Sequence, residues 1–295
     1  MVSQNIGVGA AFLVASLCVL SVLDTSGKWL QQPGLHHAGV TLAVVCLFRY
    51  AVHAVLLSAY AWHTRADRTW KTAAPVTQLI RGVMMVLSTL FFFKTLSAIP
   101  LAEATAINFT APLITMVLAP YFLGERLQLS RWISVIAGLA GVLIVLRPGI
   151  KVDGMGALLA LLTVLCFSFY QIATKRVAHE DPIVTNLWAG WVGTIIMAAA
   201  MPWLWRSPSL DLTGWAVLLS TGVTGMIGHL LQVNAYKYAP ANALAPYAYF
   251  QIISAVGMGW IVFRQLPDAL SYVGVGVIIA AGLYAIVAER KRGSA

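Results

Sequence analysis

Ten long apolar segments divide the chain, each close to the length of helix that crosses a lipid bilayer. They cover about residues 6–30, 40–61, 76–97, 101–123, 130–147, 154–176, 184–204, 213–235, 241–263 and 269–288. A spanning helix takes roughly 20 apolar residues. In lipid, the backbone N–H and C=O groups of a single span must be satisfied within the span, which leaves helix as its only stable state. The segments therefore predict an all-α membrane protein with ten transmembrane helices.

Composition excludes a soluble domain. Hydrophobic residues make up 60% of the 295 residues and charged residues only 10%, whereas soluble domains average about 45–50% and about 25%. The formal net charge of +9 fits basic loops facing anionic lipid better than nucleic-acid binding. Cys18, Cys46 and Cys166 lie inside predicted helices without metal-type spacing. We expect the lipid bilayer as surroundings, and no metal, cofactor or nucleic acid.

The basic residues of the loops indicate the orientation. With the N-terminus inside, the inner loops and tail hold 11 lysines and arginines and the outer side holds 6, leaving out Arg49 and Arg81 within or at the edge of helices. Cytoplasmic loops are enriched in these residues. An even number of spans then predicts that both termini are cytoplasmic. The first apolar segment lacks a basic n-region, which favours a retained helix over a signal peptide.

The second half of the sequence repeats the first. Spans three to five superimpose on spans eight to ten at a shift of 140 residues, so that Gly82 falls on Gly222 and Ala140 on Ala280. We predict two units, residues 1–149 and 150–295, of five spans each. Because five is odd, the second unit enters the membrane from the opposite side. Inverted repeats recur in secondary transporters, where two exchangeable halves give outward-open and inward-open states.

The stretch from Leu101 to Gly149 resembles the EamA domain of the drug/metabolite transporter superfamily. The matching residues are Ala104-Thr105-Ala106, Pro112, the Gly124-Glu125-Arg126 turn, Gly138, Gly141 and Arg147-Pro148-Gly149. The second half is a weaker match, with Arg264-Gln265-Leu266 where Gly-Glu-Arg would recur. Within the superfamily the chain is most similar to the YddG-type bacterial amino-acid exporters.

The resemblance implies two inverted five-helix repeats around a central cavity in the bacterial inner membrane. The implied function is export of aromatic and other neutral amino acids by alternating access. Families that import riboflavin or S-adenosylmethionine share the motifs, so import of a vitamin or nucleoside-like metabolite is the alternative. One chain holds a full pathway, and we expect it to act as a monomer.

Two other classes of membrane protein lack their sequence signatures. The chain has no His-Glu-x-x-His, no Gly-x-Ser-x-Gly and no aspartate pair on one helix, which argues against a membrane-embedded enzyme. A channel would need a repeated filter or a ring of charges from identical subunits. No P-loop is present, because Gly27-Lys28 is followed by Trp29 rather than Ser or Thr. Neither catalysis nor direct use of ATP is expected.

Arg49 is the first candidate for substrate binding. It lies about nine residues into span two, on the order of 14 Å deep at 1.5 Å per residue. Charges at this depth are costly and usually face a cavity or a partner. Asp24 in span one is a candidate partner. Two interpretations stay open: a buried Arg49–Asp24 pair that joins two helices, or a charge that recognises a substrate carboxylate.

Asn108 marks a candidate kink in span four. Pro112, four residues later, cannot donate a hydrogen bond to the carbonyl of Asn108 and clashes with it. The helix should bend there and leave a free acceptor near the middle of the membrane. The acceptor could bind substrate, or the kink could serve packing alone.

The remaining candidates are polar residues of the later spans: Tyr170, Gln171, His229, Gln232, Tyr249 and Gln251. His229 and Gln232 are three residues apart and share a helix face, and His229 could carry a coupling proton. Such a lining would suit a zwitterionic, partly apolar solute. We expect the cavity between spans one, three, four, six, eight and nine. Lys28, Lys94 and Glu103 are interpreted as side chains that snorkel to the surface.

Overall fold

A computed structural model gives the fold of the chain. It describes residues 5–33, 39–65, 71–123, 129–147, 153–239, 244 and 247–293. The Gly124-Glu125-Arg126 turn and Pro148-Gly149, which carry part of the family resemblance, lie outside the described residues.

The described residues form helices and their connections. The helices are α1 (Ile6–Gln31), α2 (Leu42–Arg65), α3 (Pro75–Leu96), α4 (Leu101–Asn108), α5 (Ala111–Leu123), α6 (Leu129–Leu146), α7 (Gly154–Arg176), α8 (Pro182–Leu204), α9 (Leu212–Tyr238), α10 (Phe250–Phe263) and α11 (Ala269–Gly293). The all-α class predicted from the apolar segments is confirmed.

Ten spans emerge when α4 and α5 are counted as one broken span. Seven described helical segments are long and apolar enough to cross a membrane, including Leu101–Phe122 as a single span. Three shorter apolar helices, Trp132–Leu146, Phe250–Phe263 and Ala269–Tyr284, account for spans five, nine and ten. The ten-helix architecture of two inverted repeats is therefore confirmed.

Acidic residues at the helix starts define several boundaries. The side chains of Asp153, Asp181, Asp211 and Asp268 each accept a backbone N–H within the first turn of α7, α8, α9 and α11, at 2.8 Å. Asn5 does the same for α1 at 3.1 Å. The first N–H groups of a helix have no partner within the helix, and a carboxylate there also opposes the positive end of the helix dipole.

Contacts between helix ends define the two sides of the bundle. On one side, here called the terminal end, the N–H of Asn5 donates to the C=O of Tyr238 at 3.0 Å. On the other side, the distal end, Arg147 and Asp268 form a salt bridge. Each pair joins helix ends that ten alternating spans would place on the same side, so the contacts agree with the alternation.

The two halves of the sequence are interleaved in space. Helix α1 packs on α9, α3 on α7, and α2 on both α8 and α9. Glycines allow these approaches: a Cβ at Gly222 of α9 would lie 2.4 Å from Cβ of Val52, and one at Gly9 would lie 2.9 Å from Cβ of Ala239. Gly276 makes no such contact in the described part of the chain, since no neighbouring atom lies within 4 Å of its Cβ position.

Lys28 and Glu103 are buried, so their interpretation as snorkelling side chains is wrong; Lys94 is exposed. The Lys28 ammonium donates to the C=O of Ile99 at 3.0 Å and to Oε1 of Gln265 at 3.2 Å. It therefore joins α1 to two distal connections, α3–α4 and α10–α11. A buried ammonium needs such acceptors because lipid offers none.

Candidate functional site

A narrow polar cavity lies between the two halves of the bundle. Helices α2 and α3 of the first half and α7, α8 and α9 of the second half line it. The lining residues are Arg49, Tyr50, His53, Met85, Tyr170, Asn186, Ala189, Gly190, Gly225 and His229. Spans two and seven, absent from the expected set, supply much of this lining, whereas spans one, four and nine supply none of these residues.

Arg49 reaches the cavity from α2. Its Nη1 donates to Oγ1 of Thr89 at 3.2 Å. The guanidinium also lies over the rings of Tyr50 and Phe93, at 5.5 Å and 5.4 Å from their centroids. The charge of Arg49 acts on Asp24, but among the described residues no ion pair or hydrogen bond joins the two side chains. Of the two interpretations that the sequence leaves open, the direct Arg49–Asp24 pair is therefore not seen among the described residues, because Nη1 of Arg49 donates to Thr89 instead.

Arg81, on the terminal side of the cavity, is a buried guanidinium whose three nitrogens all donate hydrogen bonds. Its Nε donates to Oγ1 of Thr174 at 2.8 Å, Nη1 to the C=O of Thr185 at 2.6 Å, and Nη2 to Oη of Tyr170 at 2.9 Å. The guanidinium carbon is 4.8 Å from the Tyr170 ring centroid. Arg81 thus ties α3 to α7 and α8 and holds a cavity-lining tyrosine in place.

Two histidines, one from each half, face each other in the cavity wall. The rings of His53 on α2 and His229 on α9 meet edge to face with their centroids 5.7 Å apart. Gln232 lies beside both His229 and Tyr236. His229 and Gln232 therefore share a helix face, as their spacing predicts.

Span four breaks close to the predicted position. Helix α4 ends at Asn108 and α5 begins at Ala111. Oδ1 of Asn108 is buried without a hydrogen-bond partner in the described part of the chain. The second half supports the break, since Oγ of Ser168 on α7 donates to the C=O of Ala111 at 3.0 Å. This bond ties α7 to the first residue of α5, next to the break.

The candidate residues fall into two groups. Arg49, Tyr170 and His229 meet at the cavity, with Gln232 beside it and Asp24 within electrostatic range. A second group surrounds the break in span four. Here Oγ1 of Thr115 donates to Oε1 of Gln171 at 3.2 Å.

Tyr249 belongs to the second group. Its ring lies 5.3 Å from that of Phe109, and its hydroxyl points at Gly282. Gln251, the second residue of α10, is partly buried. The structure does not place Asn108, Gln171, Tyr249 or Gln251 in the lining of the described cavity.

Sequence reasoning missed His53, Asn186 and Arg81. His53 was detectable, because it follows Arg49 by four residues and so shares its helix face. Arg81 was set aside as lying at a helix edge. Asn186, in the second turn of α8, gives no distinguishing signal in the sequence.

A model of the EamA-like transporter family matches the chain twice, at residues 38–147 and 154–287. The chain belongs to this family. Members are transporters rather than enzymes, so this EamA-like chain is a multi-pass membrane transporter. Residues 148–153 separate the two matches.

Relatives with an assigned function align with almost the whole length of this EamA-like transporter. The S-adenosylmethionine uptake transporter of Rickettsia bellii is 28% identical over 98% of this chain and 96% of its own. The pseudopaline exporter CntI of Pseudomonas aeruginosa is 26% identical over 95% of this chain and 98% of its own. The riboflavin transporter of Rhizobium johnstonii is 26% identical over 97% of this chain and 93% of its own.

A crystal structure shares the fold with a TM-score of 0.65 at 16% identity, over 96% of each chain. The relatives include both importers and exporters, so similarity alone does not fix the solute or the direction.

At the terminal end of this EamA-like transporter, a carboxylate joins the two halves. Glu180, between α7 and α8, accepts hydrogen bonds from Oγ1 of Thr72 at 2.6 Å, from the N–H of Ala73 at 2.9 Å and from Nε2 of Gln78 at 2.6 Å. Burial by itself raises the pKa of Glu180, but these bonds, with the N–H of Ala74, outweigh burial and hold the pKa below its ordinary value. The second half thereby supplies acceptors for the start of α3.

Glu180→Gln is expected to lower the melting temperature at pH 7 by roughly 2–4 °C, as for the loss of about one charge-assisted hydrogen bond. The folded pKa is depressed, so the stabilisation is complete above the ordinary value of 4.5 and is lost as the pH falls through the lower folded value. The melting temperatures of the two proteins should therefore converge as the pH falls from 4.5 through the lower folded pKa. Thr72→Val, which removes one donor and no charge, is the control and should also lower stability at pH 7. A difference that stays constant down to pH 3 would contradict this role.

Proposed function

We propose that this transporter exports amino acids and related small zwitterionic solutes across the bacterial inner membrane. Its mechanism is alternating access, and both termini are cytoplasmic. The observation that carries the proposal is the polar cavity between the two halves, which combines Arg49, His53, Asn186 and His229 with the apolar surface of Met85. Charged and amide groups at membrane depth suit a solute with its own charges, and the aliphatic surface suits a neutral side chain.

The interleaved halves support alternating access. Each half contributes helices to the cavity, and each end of the bundle has its own polar contacts between the halves: Glu180 with Thr72 at the terminal end, and Lys28 with Gln265 at the distal end. Opening one end requires breaking one set of contacts while the other holds. The excess of basic residues on the terminal side favours a cytoplasmic location for that end.

Uptake by proteoliposomes containing the purified full-length protein tests the proposal. The panel holds radiolabelled phenylalanine, leucine, threonine and glutamate, with equal and with opposed pH across the membrane. Movement of neutral amino acids is expected. Transport without a pH gradient indicates an uncoupled pathway, whereas accumulation only with a gradient indicates coupling to protons. Folded protein that moves none of these solutes contradicts amino-acid export.

Uptake of S-adenosylmethionine is a second candidate function. It is favoured by several full-length relatives with that assignment, at 25–28% identity. S-Adenosylmethionine carries an amino-acid end, so it meets the same demand for a zwitterion. Labelled S-adenosylmethionine and riboflavin therefore belong in the same panel.

A further inference from the structure

Two ionisable side chains of opposite type, Arg49 on α2 and Asp24 on α1, lie inside the membrane-spanning helices, and no bond joins them among the described residues. Arg49 uses one guanidinium N–H, the bond to Oγ1 of Thr89, out of the five that a guanidinium carries. Its remaining donors have no acceptor among the described residues. The rings of Tyr50 and Phe93 cover the guanidinium but accept no conventional hydrogen bond. Arg49 therefore offers unused donors at the cavity.

The neighbouring Arg81 shows that this is not a general property of buried arginines in this chain. Nε, Nη1 and Nη2 of Arg81 all donate to oxygens, at 2.6–2.9 Å. The protein thus gives the Arg81 guanidinium three oxygen acceptors and the Arg49 guanidinium one among the described residues. Open donors at membrane depth are costly unless a ligand or water completes them.

Asp24 on α1 offers unused hydrogen-bond acceptors, just as Arg49 offers unused donors. Its carboxylate makes no hydrogen bond and no ion pair within the described part of the chain, although Arg49 is near enough for its charge to act on Asp24. One turn earlier on α1, the hydroxyl of Ser21 is buried and has no hydrogen-bond partner among the described residues. Ser21 and Asp24 are three residues apart and lie on the same helix face. Helix α1 therefore presents two unused polar groups together.

Phe93 locates the two charges relative to each other. Its ring lies under the guanidinium of Arg49, 5.4 Å from the guanidinium carbon. The same ring packs on Gly27 of α1, where a Cβ would lie 2.5 Å from Cζ of Phe93. Gly27 is one turn after Asp24. Arg49 and the α1 turn that follows Asp24 therefore meet at one side chain of α3.

We propose that Arg49 and Asp24 are the two poles of a zwitterion site. The guanidinium binds the substrate carboxylate, and the Asp24 carboxylate binds the α-ammonium group. A solute that carries a carboxylate and an ammonium group on one carbon atom would bind both side chains at once and neutralise both of their charges. This assignment rests on the proposed function and narrows it to solutes with a free α-amino acid group, which S-adenosylmethionine has and riboflavin lacks.

The test uses analogues of phenylalanine that lack one charge. N-Acetylphenylalanine keeps the carboxylate and lacks the ammonium, and phenylalanine methyl ester keeps the ammonium and lacks the carboxylate. Purified full-length protein is titrated with each compound, and binding is followed by intrinsic tryptophan fluorescence. Wild-type protein is expected to bind phenylalanine at least tenfold more tightly than either analogue.

The variants should separate the two poles. In Asp24→Asn, affinity for phenylalanine should fall at least tenfold, and affinity for N-acetylphenylalanine should stay at the wild-type level. In Arg49→Gln, the methyl ester should keep its affinity while phenylalanine loses it. Lys94→Gln, at an exposed lysine, is the matched control and should bind as wild type does. Preserved binding of one analogue shows that a variant is folded.

Four outcomes distinguish this inference from the proposed function. Amino-acid transport with the two selective losses supports both. Amino-acid transport with variants that affect all three compounds equally, or none, overturns the zwitterion site and leaves the function. Selective losses seen only with S-adenosylmethionine and its decarboxylated and N-acetylated analogues overturn amino-acid export and support the site. A folded wild-type protein that binds no zwitterion of the panel overturns both.

Discussion

Arg81→Met is expected to abolish transport and to lower the free energy of unfolding by about 3 kcal/mol or more. Methionine fills much of the same volume but leaves Oγ1 of Thr174, the C=O of Thr185 and Oη of Tyr170 without their donor. Each unsatisfied buried group costs about 1–3 kcal/mol. Three helices, α3, α7 and α8, lose their common polar contact, and Tyr170 loses its position in the cavity wall.

Melting followed by tryptophan fluorescence, together with transport in proteoliposomes, measures the effect of Arg81→Met. Arg81→Lys keeps the charge but cannot reach three acceptors in three directions, so an intermediate loss is expected. Arg206→Met, at an exposed arginine in the α8–α9 connection, is the matched control and should change neither quantity. Wild-type melting and transport in Arg81→Met would show that the network is dispensable.

Gly282→Ala is expected to lower the free energy of unfolding by about 2–3 kcal/mol, the upper part of the range for overpacking a membrane or soluble core. A Cβ at position 282 would lie 1.5 Å from Oη of Tyr249 and 2.8 Å from its Cζ. Tyr249 cannot move away freely, because its ring packs 5.3 Å from the ring of Phe109 at the break in span four. The added methyl group must therefore push α11 away or displace the break.

A double variant separates this contact from a general effect on α11. Gly282→Ala with Tyr249→Phe removes the nearest oxygen and should recover part of the lost stability, whereas Tyr249→Phe alone should change little. Gly257→Ala is the control, since no neighbouring atom lies within 4 Å of its Cβ position. If the double variant is as unstable as Gly282→Ala alone, the clash lies elsewhere.

Hydropathy predicted the helical spans well and the direction of each side chain poorly. The span boundaries and the break after Asn108 follow from local chemistry, namely apolar length and the missing N–H of Pro112. Lys28 was misinterpreted because a lysine near the end of a span has the same local sequence whether it snorkels or is buried. Only the distant Ile99 and Gln265 decide between these states.

The residues that line the cavity were likewise predicted only in part. Arg49, Tyr170 and His229 were found because they are polar at membrane depth. Spans two and seven were left out because the contact of α2 with α8 and α9 depends on close packing, such as Gly222 on Val52, which leaves no periodic signal. Asn108 and Gln251 were placed with the cavity by depth alone, whereas the lining is decided by how the helices are rotated.

The interleaving of the halves bears on how the chain is made. Domains that fold as they leave the ribosome do so from the N-terminal end, but here the first five spans hold Arg81 and Ala111, whose hydrogen-bond partners Thr174, Thr185 and Ser168 belong to later helices. Until α7 and α8 are inserted, the first five spans must therefore remain in the membrane while Arg81 and the broken span four lack these partners. Two separately expressed halves would reach the native state only if each half stayed intact in the membrane, without these partners, until the two halves associated.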